Sequence, residues 1–213
     1  MPIPIDRAQR TAEVAQVAAQ LIAQGGLEAV TFRNLAAVIG CSTTAISHYF
    51  PTRNDVLLAT YSHVADRARR QRQARPADTG IDVAAQLQQI LPIGSDKSDD
   101  WKVWLCFWTA ALFDPRLADL QKTGNAATRD EITQLLRAAG WPAAQARQRA
   151  AHLMTTLYGI AIQAIFDPQA WTPRQQHDAL QDALQRAAAP APARKRGGAA
   201  TLRPPPARRP APG

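Results

Sequence analysis

The chain lacks the features of several protein classes. Only two cysteines occur among 213 residues, Cys41 and Cys106, and neither belongs to a CxxC motif or a Cys/His cluster. This pattern argues against a disulfide framework and against a metal site, and it fits a reducing compartment. No run of about eighteen uncharged apolar residues occurs, and charged residues interrupt the first thirty positions where a signal peptide would be apolar. We therefore expect a soluble, cytoplasmic protein without a membrane segment.

Signals for β-strands and for catalysis are also scarce. There is no sustained apolar/polar alternation and no Asn-Gly or Asp-Gly turn, whereas Ala, Gln, Leu and Arg are abundant. No Ser/His/Asp set, phosphate loop or carboxylate pair stands out. The sequence predicts an all-α protein that is not an enzyme and needs no cofactor or metal.

Positive charge is distributed unevenly. Residues 1–75 carry nine Lys/Arg against five Asp/Glu, residues 76–189 carry ten against twelve, and residues 190–213 carry six against none. Basic ends joined to a near-neutral middle suggest that one part of the chain meets a polyanion such as DNA, although basic side chains can also simply keep a surface solvated.

The first sixty residues contain signals for four helices. Apolar residues at helical spacing predict a helix over 7–24 that stops at Gly25-Gly26. Thr31 is placed to cap a short helix that ends at Gly40, and Ser42 to cap another over 43–49. Pro51 ends that helix, and a capping box over 52–55 begins a long fourth helix to about residue 75.

Two short helices joined by a glycine-containing turn form a helix-turn-helix pattern. The second of them sends small or polar side chains outward, as a helix that reads the major groove requires, and buries Ile46. These outward residues are Thr43, Thr44, Ser47 and His48. The free amides at the start of the fourth helix, together with Arg53, are placed to bind a DNA phosphate.

Residues 31–58, TFRNLAAVIGCSTTAISHYFPTRNDVLL, resemble the N-terminal domain of the TetR family of transcriptional regulators. The resemblance implies that Thr31, Arg33, Tyr49 and Arg53 contact phosphates while Thr43, Thr44, Ser47 and His48 face bases or nearby backbone. The family usually has Lys at the position of Arg53, so the donor geometry differs here. It also often has an aromatic residue at the position of Ser47, which implies weaker base reading at that residue.

Beyond Pro76 the sequence predicts helices near 80–91, 98–113, 115–139, 143–166 and 173–188. Trp101, Trp104 and Trp108 share one helix face, which is typical of core packing or of a ligand site. The segments WKVWLCFW (101–108), DPRL (114–117) and LYGIAIQAIFDP (157–168) resemble the C-terminal domain of the BetI-type branch, the choline-responsive repressors. That branch commonly has an acidic residue where Tyr158 stands, so the effector remains open.

The sequence thus predicts a helix-turn-helix domain (1–54, with the linking helix over 53–75), a helical effector-binding and dimerisation domain (76–189) and a basic Pro/Arg-rich tail (190–213) that we expect to be disordered. We expect the effector pocket between the tryptophan helix and the helix that carries Tyr158 and Gln163. We expect the last two helices to form the homodimer through Leu157, Ala161, Ile165, Leu180 and Leu184.

The functional hypothesis is a homodimeric, ligand-responsive repressor that binds palindromic double-stranded DNA and releases it when a small molecule binds. An organic cation such as choline and a neutral hydrophobic or aromatic compound both suit an aromatic pocket. An acidic partner for a cation could come from Asp99, Asp100 or Asp114 if one of them turned inward. Two alternatives stay open: a basic protein that coats DNA without sequence preference, and a helical-bundle enzyme or carrier with a vestigial helix-turn-helix.

Overall fold

A computed structural model describes residues 7–73 and 81–188 of the chain, and all regular structure within these ranges is helical. The all-α prediction is therefore confirmed. The helices in chain order are α1 (Arg7–Gly25), a 3₁₀ turn (Leu27–Ala29), α2 (Phe32–Ile39), α3 (Thr43–Tyr49), α4 (Arg53–Gln73), α5 (Val83–Gln88), α6 (Ser95–Ala111), α7 (Pro115–Ala138), α8 (Ala143–Phe166) and α9 (Pro173–Ala188).

The predicted helix boundaries agree with these bounds to within a few residues, with two differences. Helix α5 is shorter than predicted and ends in a turn over 89–91. Helix α6 begins earlier because Gly94 adopts a positive φ of 96° and redirects the chain into its first turn. The predicted end of the fourth helix and the basic tail lie outside the described residues. No helix in the described ranges is both long and apolar enough to cross a membrane.

One hydrophobic core holds the helix-turn-helix and extends beyond it. Helices α1 and α4 pack against each other over Val14, Ile22, Val56 and Val64, all of them buried. Side chains from α6 and α7 complete the same core, namely Val103, Phe107 and Leu117. The first four helices are thus held in place partly by residues that are distant in sequence.

A second core lies farther along the chain and joins α5, α7, α8 and α9. Its fully buried members include Leu91, Leu136, Leu153 and Leu180. Helix α8 packs most extensively on α7 and then on α9. Because α8 is covered by two helices of its own subunit, much of its wide apolar surface is used within one chain.

Helix α4 connects the two halves through polar contacts. Near its start, Asn54 Nδ2 donates to Asp114 Oδ2 at 3.2 Å, and Asp114 also caps α7. In its middle, the Tyr61 hydroxyl lies 3.1 Å from the Leu120 carbonyl oxygen and 3.0 Å from Gln121 Oε1. Burial raises the pKa of Tyr61 to about 12, so the hydroxyl remains a hydrogen-bond donor at neutral pH.

Gly124 allows α7 to approach Tyr61 closely. A Cβ at this position would lie 2.9 Å from the Tyr61 hydroxyl oxygen. The ring cannot easily move away because it packs edge-on against Trp104 and Phe107, with centroid distances of 5.2 and 5.4 Å. A mid-helix glycine normally costs about 1 kcal/mol relative to alanine, so this contact explains why it is present.

We therefore expect Gly124→Ala to lower the free energy of unfolding by about 1–3 kcal/mol, because the added methyl group overpacks the contact with Tyr61. Chemical denaturation of the single variants and of Tyr61→Phe/Gly124→Ala would measure the coupling between the two positions. The alanine should cost less in the Phe background, where the hydroxyl is gone. An equal cost in both backgrounds would contradict the assigned contact.

Candidate DNA-binding surface and ligand cavity

The caps predicted for the helix-turn-helix are present. Thr31 Oγ1 accepts from the Asn34 amide at 3.1 Å, and Ser42 Oγ accepts from the Ala45 amide at 3.1 Å. Gly40 ends α2 with a φ of 76°. Because each cap satisfies an amide that has no partner inside its helix, the short helices α2 and α3 start at defined residues.

Helix α3 presents the predicted polar surface. Ile46 is buried and Phe50 packs beneath the helix end, whereas Thr43, Thr44, Ser47 and His48 are exposed. Ser47 Oγ donates to the Thr44 carbonyl oxygen at 3.1 Å, so this hydroxyl already has an acceptor within the helix. The exposed row has the small, polar character that entry into a major groove requires.

The residues predicted to contact phosphates differ in their surroundings. Arg33 is exposed, and Thr31 is exposed although its hydroxyl oxygen serves as a cap. Tyr49 is half-buried, with its ring 5.2 Å from the His48 ring in an edge-on arrangement. The phosphate roles of Thr31, Arg33 and Tyr49 stay predictions.

Arg53, which is predicted to contact a phosphate, has partners within the protein, and its phosphate role stays a prediction. Its Nε donates to the Val30 carbonyl oxygen at 2.9 Å, and its Nη2 donates to the Leu27 carbonyl oxygen and lies 3.2 Å from Glu28 Oε1. The guanidinium therefore ties the start of α4 to the segment between α1 and α2. A planar group with donors on several edges can satisfy both carbonyls at once, which the single ammonium of lysine cannot do in the same geometry.

The start of α4 is the other group predicted to bind a phosphate. The capping box is confirmed: the Thr52 amide donates to Asp55 Oδ2 at 3.0 Å, and the Asp55 amide donates to Thr52 Oγ1 at 3.2 Å. The hydrogen bond from the Thr52 hydroxyl is the main cause of the lowered pKa of Asp55. The Asp55 carboxylate thus accepts from the Thr52 amide, and the phosphate contact of the amides that follow stays a prediction.

Salt dependence distinguishes a phosphate contact from a positioning contact. We expect Arg53→Ala to weaken binding to all DNA sites while leaving the slope of log K against log[salt] unchanged. Arg33→Ala, the matched control on an exposed arginine, should reduce that slope by about 0.9 for each bound subunit. Equal loss of slope in both variants, measured by fluorescence anisotropy, would instead support the phosphate role of Arg53.

A cavity lies between α4, α6, α7 and α8. Its volume is about 100 Å³. One water molecule needs roughly 10–15 Å³ on the same measure, so a small organic molecule fits. Aromatic side chains from three helices line it: Tyr61 from α4, Tyr158 from α8, and Trp101, Trp104 and Trp108 from α6.

The rings form two groups within the cavity wall. Trp101, Trp108 and Tyr158 lie with their ring centroids 5.1 to 5.7 Å apart, and Tyr61 packs edge-on against Trp104 at 5.2 Å. Trp101 Nε1 donates to the Ile90 carbonyl oxygen at 2.7 Å. Trp108 Nε1 is buried and has no hydrogen-bond partner among the described residues, so it is available to a ligand acceptor.

The carboxylates of the cavity are Asp100 and Glu131. Asp100 forms an ion pair with Arg67, and Glu131 Oε2 lies 2.7 Å from Arg72 Nη2. Two of the acids considered from sequence point elsewhere. Asp99 pairs with Lys102 at 2.8 Å, and Asp114 caps α7.

Four of the five predicted ligand residues line the cavity, and Gln163 does not. It is exposed, because five residues separate it from Tyr158 and place the two side chains on different faces of α8. The residues missed from sequence include Tyr61, Lys97 and Glu131. The position of Lys97, four residues before Trp101, continues the tryptophan face and was the available signal.

The predicted dimer contacts require a correction. Leu157, Ala161 and Leu180 are at most 1% exposed within one subunit, so they pack inside it and cannot form the surface that meets a partner. Ile165 and Leu184 are only half-buried, so their role in the dimer is not contradicted and stays a prediction. The apolar width of α8, which suggested a dimer interface, is explained by its packing on α7 and α9.

Another face of α8 remains open. Gly159 lies near the middle of this face, and a Cβ added to it would meet nothing within 4 Å. Ile162 belongs to neither buried core, and Phe166 is 76% exposed at the helix end. These residues follow one another at intervals of three and four, so they form one stripe along the helix.

Comparison with known proteins agrees with this architecture. Residues 15–60 match the family described as bacterial regulatory proteins, tetR family, and residues 82–189 match the family described as BetI-type transcriptional repressor, C-terminal. The chain belongs to the TetR family of DNA-binding transcriptional regulators. Within that family it is a repressor with a BetI-type C-terminal domain, and not an enzyme.

Individual relatives are distant in sequence. The HTH-type transcriptional regulator BetI of Burkholderia cenocepacia (strain HI2424) is 26% identical over 155 residues, which cover 71% of this chain and 79% of that protein. A transcriptional regulator from Rhodococcus sp. Rha1 is 25% identical with a TM-score of 0.73, covering 83% of this chain and 95% of that one. A putative transcriptional regulator from Saccharomonospora viridis, solved in complex with choline, shares the fold with a TM-score of 0.74 at 22% identity, covering 84% and 96%.

Proposed function

We propose that this repressor binds a palindromic operator as a homodimer and releases it when a small organic cation enters the cavity between α4, α6, α7 and α8. The observation that carries the proposal is the cavity wall of five aromatic rings from three helices. Each ring face within about 6 Å of a cation contributes about 0.5 to 2 kcal/mol. The choline complex of the Saccharomonospora viridis regulator supports a quaternary ammonium ligand.

Helix α4 supplies the route from ligand to DNA. Tyr61 and Arg69 contact the cavity, and the same helix begins directly after α3. A ligand that favours one position of Tyr61 therefore favours one position of the helix-turn-helix. Release of DNA requires that the ligand bind this state more tightly than the DNA-bound state, because equal affinity for both would shift nothing.

A neutral aromatic compound is a second candidate, and the ion pairs of the cavity favour it. Arg67 neutralises Asp100, and Arg72 neutralises Glu131, so neither carboxylate is free to attract a cation. A flat apolar ligand would need only the ring faces and the Trp108 N–H group.

Titration of the DNA complex distinguishes these candidates. We expect choline and tetramethylammonium to release DNA and to change tryptophan fluorescence, while neutral aromatics at equal concentration do not. Trp108→Leu should weaken the response about 2- to 30-fold through loss of one cation–π contact, whereas Phe113→Leu, an exposed aromatic outside the cavity, should leave it unchanged. Release by neutral compounds alone would favour the second candidate.

We also propose that two subunits meet through the open α8 stripe of Gly159, Ile162 and Phe166. An exposed glycine within a helix costs about 1 kcal/mol relative to alanine, and close approach of a second helix would offset that cost. Two recognition helices related by a two-fold axis would then enter successive major grooves about 34–36 Å apart, or at a larger spacing, and read a palindrome.

Ile162→Glu combined with Phe166→Glu should therefore give a folded monomer that binds the operator at least tenfold more weakly, because burying two carboxylates in the interface is unfavourable. Sedimentation velocity and circular dichroism would report the mass and the helical content. Gln134→Glu, on an exposed position of α7, is the matched control and should remain dimeric. A double variant that stays dimeric would refute the interface.

A further inference from the structure

The charges around the cavity are unbalanced. Arg69, Arg72 and Lys97 line it together with two carboxylates, Asp100 and Glu131. Outside the lining, Arg67 pairs with Asp100 and Asp66 pairs with Arg69, so four cationic groups stand against three anionic ones. A monovalent cation without a counter-charge would enter a site that already carries excess positive charge.

Lys97 is the cation of this set that has no carboxylate partner in the described part of the chain. Its Nζ donates to Gln89 Oε1 at 2.8 Å, and that amide oxygen carries no charge. Glu131 is held by Arg69 and Arg72, at 3.5 and 2.7 Å, and is not available to Lys97. Burial lowers the pKa of Lys97, which an anionic ligand group would counteract.

Lys97 and the tryptophans form one continuous row. Positions 97, 101, 104 and 108 recur at intervals of four, three and four on α6, and all four side chains line the cavity. The helix rises 1.5 Å per residue, so the backbone of Lys97 lies about 6 Å along the axis from that of Trp101. This separation suits a ligand whose two ends are joined by a few bonds.

We propose that the effector is a zwitterion that joins a methylated ammonium group to a carboxylate. The ammonium lies against the aromatic rings, and the carboxylate binds the Lys97 ammonium. This inference rests on the proposed function, since it assigns the chemical class of the ligand in the same cavity. A zwitterion supplies its own negative charge and therefore satisfies both the rings and the excess of cationic groups.

Calorimetric titration of the full-length protein with four compounds tests the proposal: trimethylammonioacetate, 4-(trimethylammonio)butyrate, choline and tetramethylammonium. At least one of the two zwitterions, trimethylammonioacetate and 4-(trimethylammonio)butyrate, should bind about tenfold more tightly than choline and tetramethylammonium. Lys97→Met should remove this advantage and should not weaken the binding of tetramethylammonium, because it takes one like charge out of the cavity wall. Lys97→Arg should keep the advantage. Lys102→Met, a matched control on an exposed lysine of the same helix, should behave as the parent protein.

Two other results are distinguishable. Binding of choline without binding of either zwitterionic compound would overturn the proposal of a zwitterionic effector and leave the organic-cation proposal in place. The absence of binding by all four compounds would overturn both. If the zwitterions still bind more tightly than choline in Lys97→Met, the ligand carboxylate binds elsewhere, and the proposed role of this lysine is overturned.

Discussion

Helix α6 has to satisfy two environments at once, and the arrangement of the protein depends on this. Val103 and Phe107 on one face are buried in the core that holds the helix-turn-helix, while the tryptophans on the neighbouring face line the cavity. Close packing makes the first contact sensitive to small displacements of the helix. A ligand that moves the tryptophans therefore acts on the same rigid element that supports the DNA-binding helices.

Helix α4 completes this connection from the other side. It contacts α6 through Tyr61, contacts α7 through the hydroxyl of the same residue, and reaches the helix-turn-helix through Arg53. Its charged residues pair with acids on α6 and α7 rather than with solvent alone. The helix is thus held along its length by directional contacts, which favours a small number of discrete positions over continuous bending.

The sequence predicted the features that depend on neighbouring residues. The caps at Thr31 and Ser42, the stop at Gly40 and the common face of the tryptophans all follow from spacings of a few residues. The partners of Arg53 lie 23 to 26 residues away, and Glu131 approaches α4 from 59 residues away, so no local pattern reveals them. The apolar width of α8 was visible, but it could not show whether a neighbouring helix or a second subunit covers each face.

The core shared by α1, α4, α6 and α7 has a consequence for engineering. A hybrid regulator joins the DNA-binding domain of one protein to the ligand-binding domain of another. A junction after α4 would here separate Val56 from Val103 and Phe107, and would divide the hydrogen bond between Asn54 and Asp114. A functional chimera would have to keep Val103, Phe107 and Asp114 together with the DNA-binding domain, because the two domains pack correctly only when these residues match.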